Sequence, residues 1–151
     1  MTLHLRTAAL VFLIATVLFS IAPIARQKHD GACSYRTVAG TFGYAATGIR
    51  TGVGPVASAG AITFGDDGSV EGKQTASFNG TIATETYNGT YVVDDDCSGS
   101  FKVDVTSSNP IFNRTTTVDL VWENDGNATH AIFTSPGTVI TADARRLFPR
   151  N

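Results

Sequence analysis

Residues 59–105 read AGAITFGDDGSVEGKQTASFNGTIATETYNGTYVVDDDCSGSFKVDV, and this stretch limits the fold more tightly than any other. Four strand-like runs are separated by three tight-turn signals: Gly65-Asp66-Asp67-Gly68, Asn79-Gly80 and Asp94-Asp95-Asp96-Cys97-Ser98-Gly99. Asn79-Gly80 is the sharpest of them, because a two-residue type I′ hairpin turn needs φ > 0 at both central residues. The run 99–106 alternates cleanly, with Phe101, Val103 and Val105 against Lys102, Asp104 and Thr106. Period-2 alternation between tight turns describes antiparallel neighbours and leaves no room for an amphipathic helix.

The flanks extend the same meander. Strands are expected at 37–47, 56–64, 69–78, 81–93, 99–106, 115–123, 128–134 and 138–147. Residues 49–55 (IRTGVGP) and 107–114 (SSNPIFNR) are expected as loops, and Asn88-Gly89 as a bend within a strand. No helix is expected after the N-terminal segment. Only 16% of residues are charged, and Thr, Val, Phe and Tyr favour strands. Eight strands joined mostly by hairpin-length connections have two solutions, a closed up-and-down barrel or a β-sandwich. A sandwich needs crossovers between sheets and a barrel removes exposed edges, so an all-β, eight-stranded antiparallel barrel is expected over residues 37–148.

The N-terminus has the form of a targeting segment. Residues 8–25 are apolar apart from Thr16 and Ser20, and Arg26-Gln27-Lys28-His29-Asp30 is abruptly polar. Residues 1–25 are expected to be a signal peptide, or, if uncleaved, a membrane anchor, since about 18 apolar residues can just span a bilayer. Residues 26–36 form a polar lead-in. Export implies a secreted or periplasmic location, or an anchored extracytoplasmic one. Cys33 and Cys97 are the only cysteines. An even pair in an oxidising compartment points to a disulfide. A net charge of −2 speaks against a nucleic-acid partner, which needs a basic face, and limits membrane contact to the N-terminal segment. No cofactor and no oligomeric state is implied.

Candidate chemistry is sparse. The acidic runs at Asp66-Asp67 and Asp94-Asp95-Asp96 do not match a calcium-loop spacing, and Asp in turns caps backbone N–H groups unaided, so no metal site is assigned. His130 lies in a strand with Glu123 and Asp119 across the adjacent turn. A His with a carboxylate partner can serve as a general acid/base, but no nucleophile motif accompanies it. Glu85, Glu123, Asp143 and Arg145 are charges within strands. If they point into a barrel they form a polar interior site, with Arg145 as the natural carboxylate partner. Both strand faces mix Thr, Ala and apolar residues, so alternation alone does not say which face is inside. Phe42, Tyr44, Phe64, Tyr87, Tyr91, Phe101 and Trp122, with Phe78 and Phe133, either fill the core or line a pocket for a small apolar molecule. Asn79, Asn88, Asn113 and Asn127 each begin an N-x-Ser/Thr sequon, a glycosylation candidate only in a eukaryotic secretory pathway.

Three segments carry a resemblance: Cys33 with Gly40-Thr41-Phe42-Gly43; residues 60–72, GAITFGDDGSVEG; and residues 89–100, GTYVVDDDCSGS. Together they resemble small exported bacterial proteins of unknown function over most of residues 33–147. The architecture is similar to calycin-like barrels, especially the allene oxide cyclase and dirigent type. That resemblance implies a barrel that holds small apolar or phenolic molecules, some members guiding a cyclisation or coupling by shape. It carries no catalytic residue onto this chain. Three functions follow as expectations: a binding or structural module, a cofactor-free cyclase or isomerase using Glu85, Glu123, His130 or Arg145, and an envelope-anchored surface protein.

Overall fold

A computed structural model of the protein describes residues 33–148. The expected signal or anchor, residues 1–25, lies outside the described residues, as does the lead-in up to residue 32. The chain forms a closed barrel of eight antiparallel strands in sequence order. They are β1 (Gly40–Arg50), β2 (Gly54–Phe64), β3 (Ser69–Phe78), β4 (Thr81–Val93), β5 (Ser98–Ser107), β6 (Arg114–Glu123), β7 (Ala128–Phe133) and β8 (Thr138–Arg146). β8 pairs back onto β1, from Phe42 opposite Arg146 to Arg50 opposite Thr138, which closes the sheet. The sandwich alternative is thereby excluded.

β3 and β4 have the expected bounds, and the turn between them has φ 49° at Asn79 and 90° at Gly80. β4 runs through Asn88-Gly89 with its pairing intact, Asn88 opposite Asp104 and Gly89 opposite Val103. The acidic turns are built alike. Asp67 Oδ1 accepts from the Ser69 N–H at 2.9 Å, and Asp96 Oδ1 from the Ser98 N–H at 2.9 Å. The Ser69 and Ser98 hydroxyls donate to the same oxygens at 2.6 Å, and these bonds, the hydroxyl's first and the backbone N–H's second, hold both carboxyls below the usual range, which is turn chemistry.

Three expectations are corrected. Residues 49–55 are not a loop: β1 runs to Arg50, β2 starts at Gly54, and the Val53 N–H bonds to the Arg50 carbonyl across a three-residue turn. Pro55 joins the sheet because its carbonyl still accepts from the Asn79 N–H at 2.7 Å. Residues 37–39 are not strand, and helix is present. One helical turn, α1 (Tyr35–Val38), is capped reciprocally by Ser34 and Thr37. Thr37 does here what Glu or Gln does in the usual capping box, which hides the signal. A 3₁₀ turn at Pro110–Phe112 follows an Asn109 cap with proline in its first turn.

The two ends of the barrel differ. At one end Cys33 and Cys97 form a disulfide and α1 plugs the opening, with Val38 fully buried. Beneath it Phe64 meets Phe42, Tyr91 and Trp122 edge-on at centroid distances of 5.7, 5.0 and 5.6 Å. Such pairs add about 0.5–1.5 kcal/mol each beyond area burial. Arg146 lies 4.7 Å over the Phe42 ring and donates to the Ala39 and Gly126 carbonyls at 2.6 and 2.8 Å. It clamps α1 and the β6–β7 turn to the barrel. At the other end Phe112 stacks on Phe78 at 4.0 Å over Ala76 and Ala83, so the 3₁₀ turn covers part of that opening.

Candidate binding site inside the barrel

Alternation places one residue in two inside the barrel. Phe42, Tyr44 and Arg50 on β1, Gln74 on β3, Glu85 and Tyr87 on β4, and Arg114 on β6 belong to the inward sets. Gln74 sits directly opposite Glu85 in the β3–β4 register, and Gly72 opposite Tyr87. Their side chains build one continuous polar chain across the interior. Arg114 donates to both Glu85 oxygens, Nη1 to Oε1 at 2.6 Å and Nη2 to Oε2 at 2.9 Å. Gln74 Nε2 donates to Glu85 Oε2 at 2.5 Å, and the Tyr44 hydroxyl donates to Gln74 Oε1 at 2.5 Å. The single Tyr87 hydroxyl proton is shared between the Ala61 carbonyl at 3.1 Å and the Tyr44 oxygen at 3.2 Å. Arg114 Nη1 also donates to the Phe112 carbonyl at 2.8 Å and so anchors the 3₁₀ turn.

The chain needs space at one position. A Cβ on Gly72 would lie 2.3 Å from the Tyr87 hydroxyl and 2.4 Å from the Ala61 carbonyl. Only glycine there lets Tyr87 reach both partners.

Burial sets the electrostatics. The Glu85 side chain is fully buried and that of Arg114 is 16% exposed, so the pair is strongly desolvated and holds together by its bidentate geometry. Burial, which disfavours the phenolate, pushes Tyr44 up to about 12, with the nearby Glu85 charge adding to it and the Tyr87 bond and Arg114 opposing. Tyr87 is pushed up too, by burial first and by its Tyr44 neighbour second. Arg50 is drawn below its usual value by burial and by repulsion from Arg114, with Glu85 opposing.

Two spaces flank the chain. One is an apolar chamber of about 60 Å³ lined by Ile62, Phe64, Phe101, Val103, Val105, Val118, Leu120, Ala131, Phe133, Ala142 and Ala144, with Tyr44, Gln74, Tyr87, Arg114, Thr116 and Thr129 supplying polar edges. The other is a mouth of about 190 Å³ between Arg50, Ser58, Gln74, Phe78, Arg114, Ser135 and Thr138. Gln74 and Arg114 line both, so the polar chain divides chamber from mouth.

The expected site residues separate into three groups. Tyr44, Phe64, Tyr87 and Phe101 line the chamber, whereas Phe42, Tyr91 and Trp122 belong to the packed aromatic cluster at the plugged end. Of the four charged candidates Glu85 alone faces inward. Glu123, His130 and Arg145 are exposed, because the inward residues on their strands are Thr116, Val118, Leu120 and Trp122 on β6, Thr129 and Ala131 on β7, and Ile140, Ala142 and Ala144 on β8. The inward partner of Glu85 is Arg114, not Arg145. His130 sits on the outer face with Nδ1 2.5 Å from Asp143 Oδ1 and Nε2 3.2 Å from Glu123 Oε2. Asp143, rather than Asp119, completes that pair because β7 aligns His130 with Asp143 on β8. Sequence reasoning missed Arg50, Gln74 and Arg114. Arg50 and Arg114 fell in stretches read as loops; carrying the alternation on from Ala46 through Gly48 to Arg50, and back from Thr116 to Arg114, recovers both.

No family model matches the chain, and no curated protein matches it. Two solved structures are similar. A redesigned β-barrel has a TM-score of 0.50 and 18% identity, covering 76% of this chain and 96% of its own. A second redesigned β-barrel, bound to DFHBI, has a TM-score of 0.48 and 16% identity, covering 75% of this chain and 98% of its own. The first likeness shows the barrel fold, and at that identity the fold alone.

Proposed function

We propose that this domain is a binding module that holds one small, mostly apolar molecule inside the barrel. The observation that carries the reading is the interior itself. An eight-stranded barrel can be filled by side chains. Here a buried polar chain separates an apolar chamber from a mouth of mixed lining that carries Arg50 and Arg114 beside Val56, Phe78 and Ile140. A buried polar network is an expensive way to fill space, whereas convergent polar groups beside apolar walls are how ligand sites set orientation.

Size limits the ligand. Pockets for drug-sized ligands hold about 300–1,000 Å³, and an apolar cavity of about 150 Å³ takes a benzene ring. The mouth, at about 190 Å³, fits a single ring or a short chain, and the chamber, at about 60 Å³, takes only a few atoms of its apolar end, which excludes a long lipid or a polycyclic compound. The Cys33–Cys97 disulfide supports an oxidising, extracytoplasmic setting.

The cyclase alternative would have to run on Glu85, whose oxygens are already taken by Arg114 and Gln74. A carboxylate so occupied is a poor base, which favours binding over turnover.

Titrating the purified, oxidised protein with fluorobenzene tests the reading by NMR. Saturable shifts of the Val56 and Ile140 methyls, which line the mouth, are expected, and Ala46→Phe, which fills it, should abolish them. Interior methyls unmoved at millimolar fluorobenzene would sink the proposal.

A further inference from the structure

The mouth carries a charge imbalance that the polar chain does not resolve. Arg50 and Arg114 both line it, and among the described residues Glu85 is the one carboxylate that reaches either. Two guanidinium charges against one carboxylate leave one positive charge in the wall. Glu85 is already paired bidentately with Arg114, so the surplus falls on Arg50. Arg50 Nη1 is buried and has no hydrogen-bond partner among the described residues. A buried, unpaired donor on a cation is a costly feature that a bound anion would relieve. Every other residue that lines the mouth is neutral.

We infer that the occupant is a small monocarboxylate with an apolar body, its carboxylate held by Arg50 beside Arg114 in the mouth and its body directed toward the apolar chamber. This rests on the binding-module reading above. The chemistry selects the class. A cation would meet two guanidiniums, and a neutral molecule could accept from the buried donor but would leave the surplus positive charge unbalanced. A doubly charged phosphate ester would exceed the single surplus charge. A carboxylate carries one charge and matches the planar guanidinium fork with two parallel bonds. The volumes again restrict the body to one ring or a few carbons.

The test is a calorimetric titration of the purified, oxidised protein with benzoate and with benzamide, which share a body and differ in charge. Benzoate should bind at least about tenfold tighter, equivalent to about 1.4 kcal/mol. Arg50→Gln should erase the preference, Arg50→Lys should keep part of it, and Arg145→Gln, an exposed control, should leave it unchanged. Among the described residues Arg50 makes no side-chain hydrogen bond that its loss would break, so Arg50→Gln should fold, which circular dichroism verifies. Equal binding of benzoate and benzamide overturns the carboxylate inference and leaves the binding module standing. A preference that survives Arg50→Gln overturns the assignment to this site. Silence of both, together with fluorobenzene leaving the interior methyls unmoved, removes the inference and the binding module with it.

Discussion

Removing Arg114 is the most informative perturbation of the barrel interior. In Arg114→Met the stem volume is roughly kept, while Glu85 remains fully buried and loses two charge-assisted bonds, at 2.6 and 2.9 Å. Its only remaining side-chain donor is Gln74. Breaking one side of a buried pair typically costs about 3–5 kcal/mol, out of a total near 5–15 kcal/mol for a domain. Glu85→Leu should cost less, about 2–3 kcal/mol, because Arg114 is 16% exposed and can turn its charge into the mouth. The double variant Glu85→Leu/Arg114→Met removes both members of the buried pair together. It does leave Gln74 Nε2 without an acceptor and the Phe112 carbonyl without its donor, so about 1–3 kcal/mol should still be missing. The double variant is therefore expected to be more stable than Arg114→Met alone. Urea unfolding of the oxidised protein measures the cycle. With a slope near 2 kcal/mol per molar, Arg114→Met should lower the midpoint by about 2 M, with the slope unchanged. Two outcomes refute the reasoning: a loss under about 1 kcal/mol in Arg114→Met, or single losses that sum to the double within about 0.5 kcal/mol.

Three further outcomes are expected. Reducing Cys33–Cys97, separated by 64 residues, releases a loop whose closure is worth about 4 kcal/mol; calorimetric scans with and without reductant should differ accordingly, and a change below about 1 kcal/mol would contradict the chain-entropy account. His130 should titrate above about 6.5 because of its bond to Asp143 first and the Glu123 charge second. Its contribution to stability is then fully present below about pH 6.5 and disappears as pH rises through the raised value; NMR of Asp143→Asn should show a larger downward move than Glu123→Gln. Tyr44, pushed up to about 12, binds its proton more tightly folded than unfolded, so alkaline conditions between about pH 10 and 12 should erode stability. Tyr44→Phe should flatten that part of the stability curve, and ultraviolet titration should find Tyr44 and Tyr87 silent until the barrel opens.

Much of the fold could be read from local chemistry. The Asn79-Gly80 turn, the Asp67 and Asp96 turn caps and the clean alternation of residues 99–106 each act within a few residues, so the bounds of β3 and β4 needed no tertiary information. Elements whose local signal was disguised were not recovered. Thr37 stood in for the acidic member of a capping box, and Pro55 sat in a strand because its carbonyl, not its missing N–H, served the sheet.

The candidate site was less legible, for a different reason. Alternation says that Glu85 and Thr86 face opposite ways, but not which of them faces inward. That choice is made when β8 pairs with β1 and the sheet curls, because curling puts one whole set of side chains out of water. Closure buried Glu85 and left Glu123, His130 and Arg145 on the outside. It brought Glu85 to Arg114, 29 residues away, and Tyr44 to Gln74, 30 residues away. By itself, then, the sequence determined the strands, the turns, the paired cysteines and the inventory of aromatic and charged side chains, because those depend on neighbours along the chain. Only the tertiary structure decided which charges would be desolvated, which would find partners, and that Arg50 Nη1 would be buried with none among the described residues, because those outcomes depend on neighbours across the barrel.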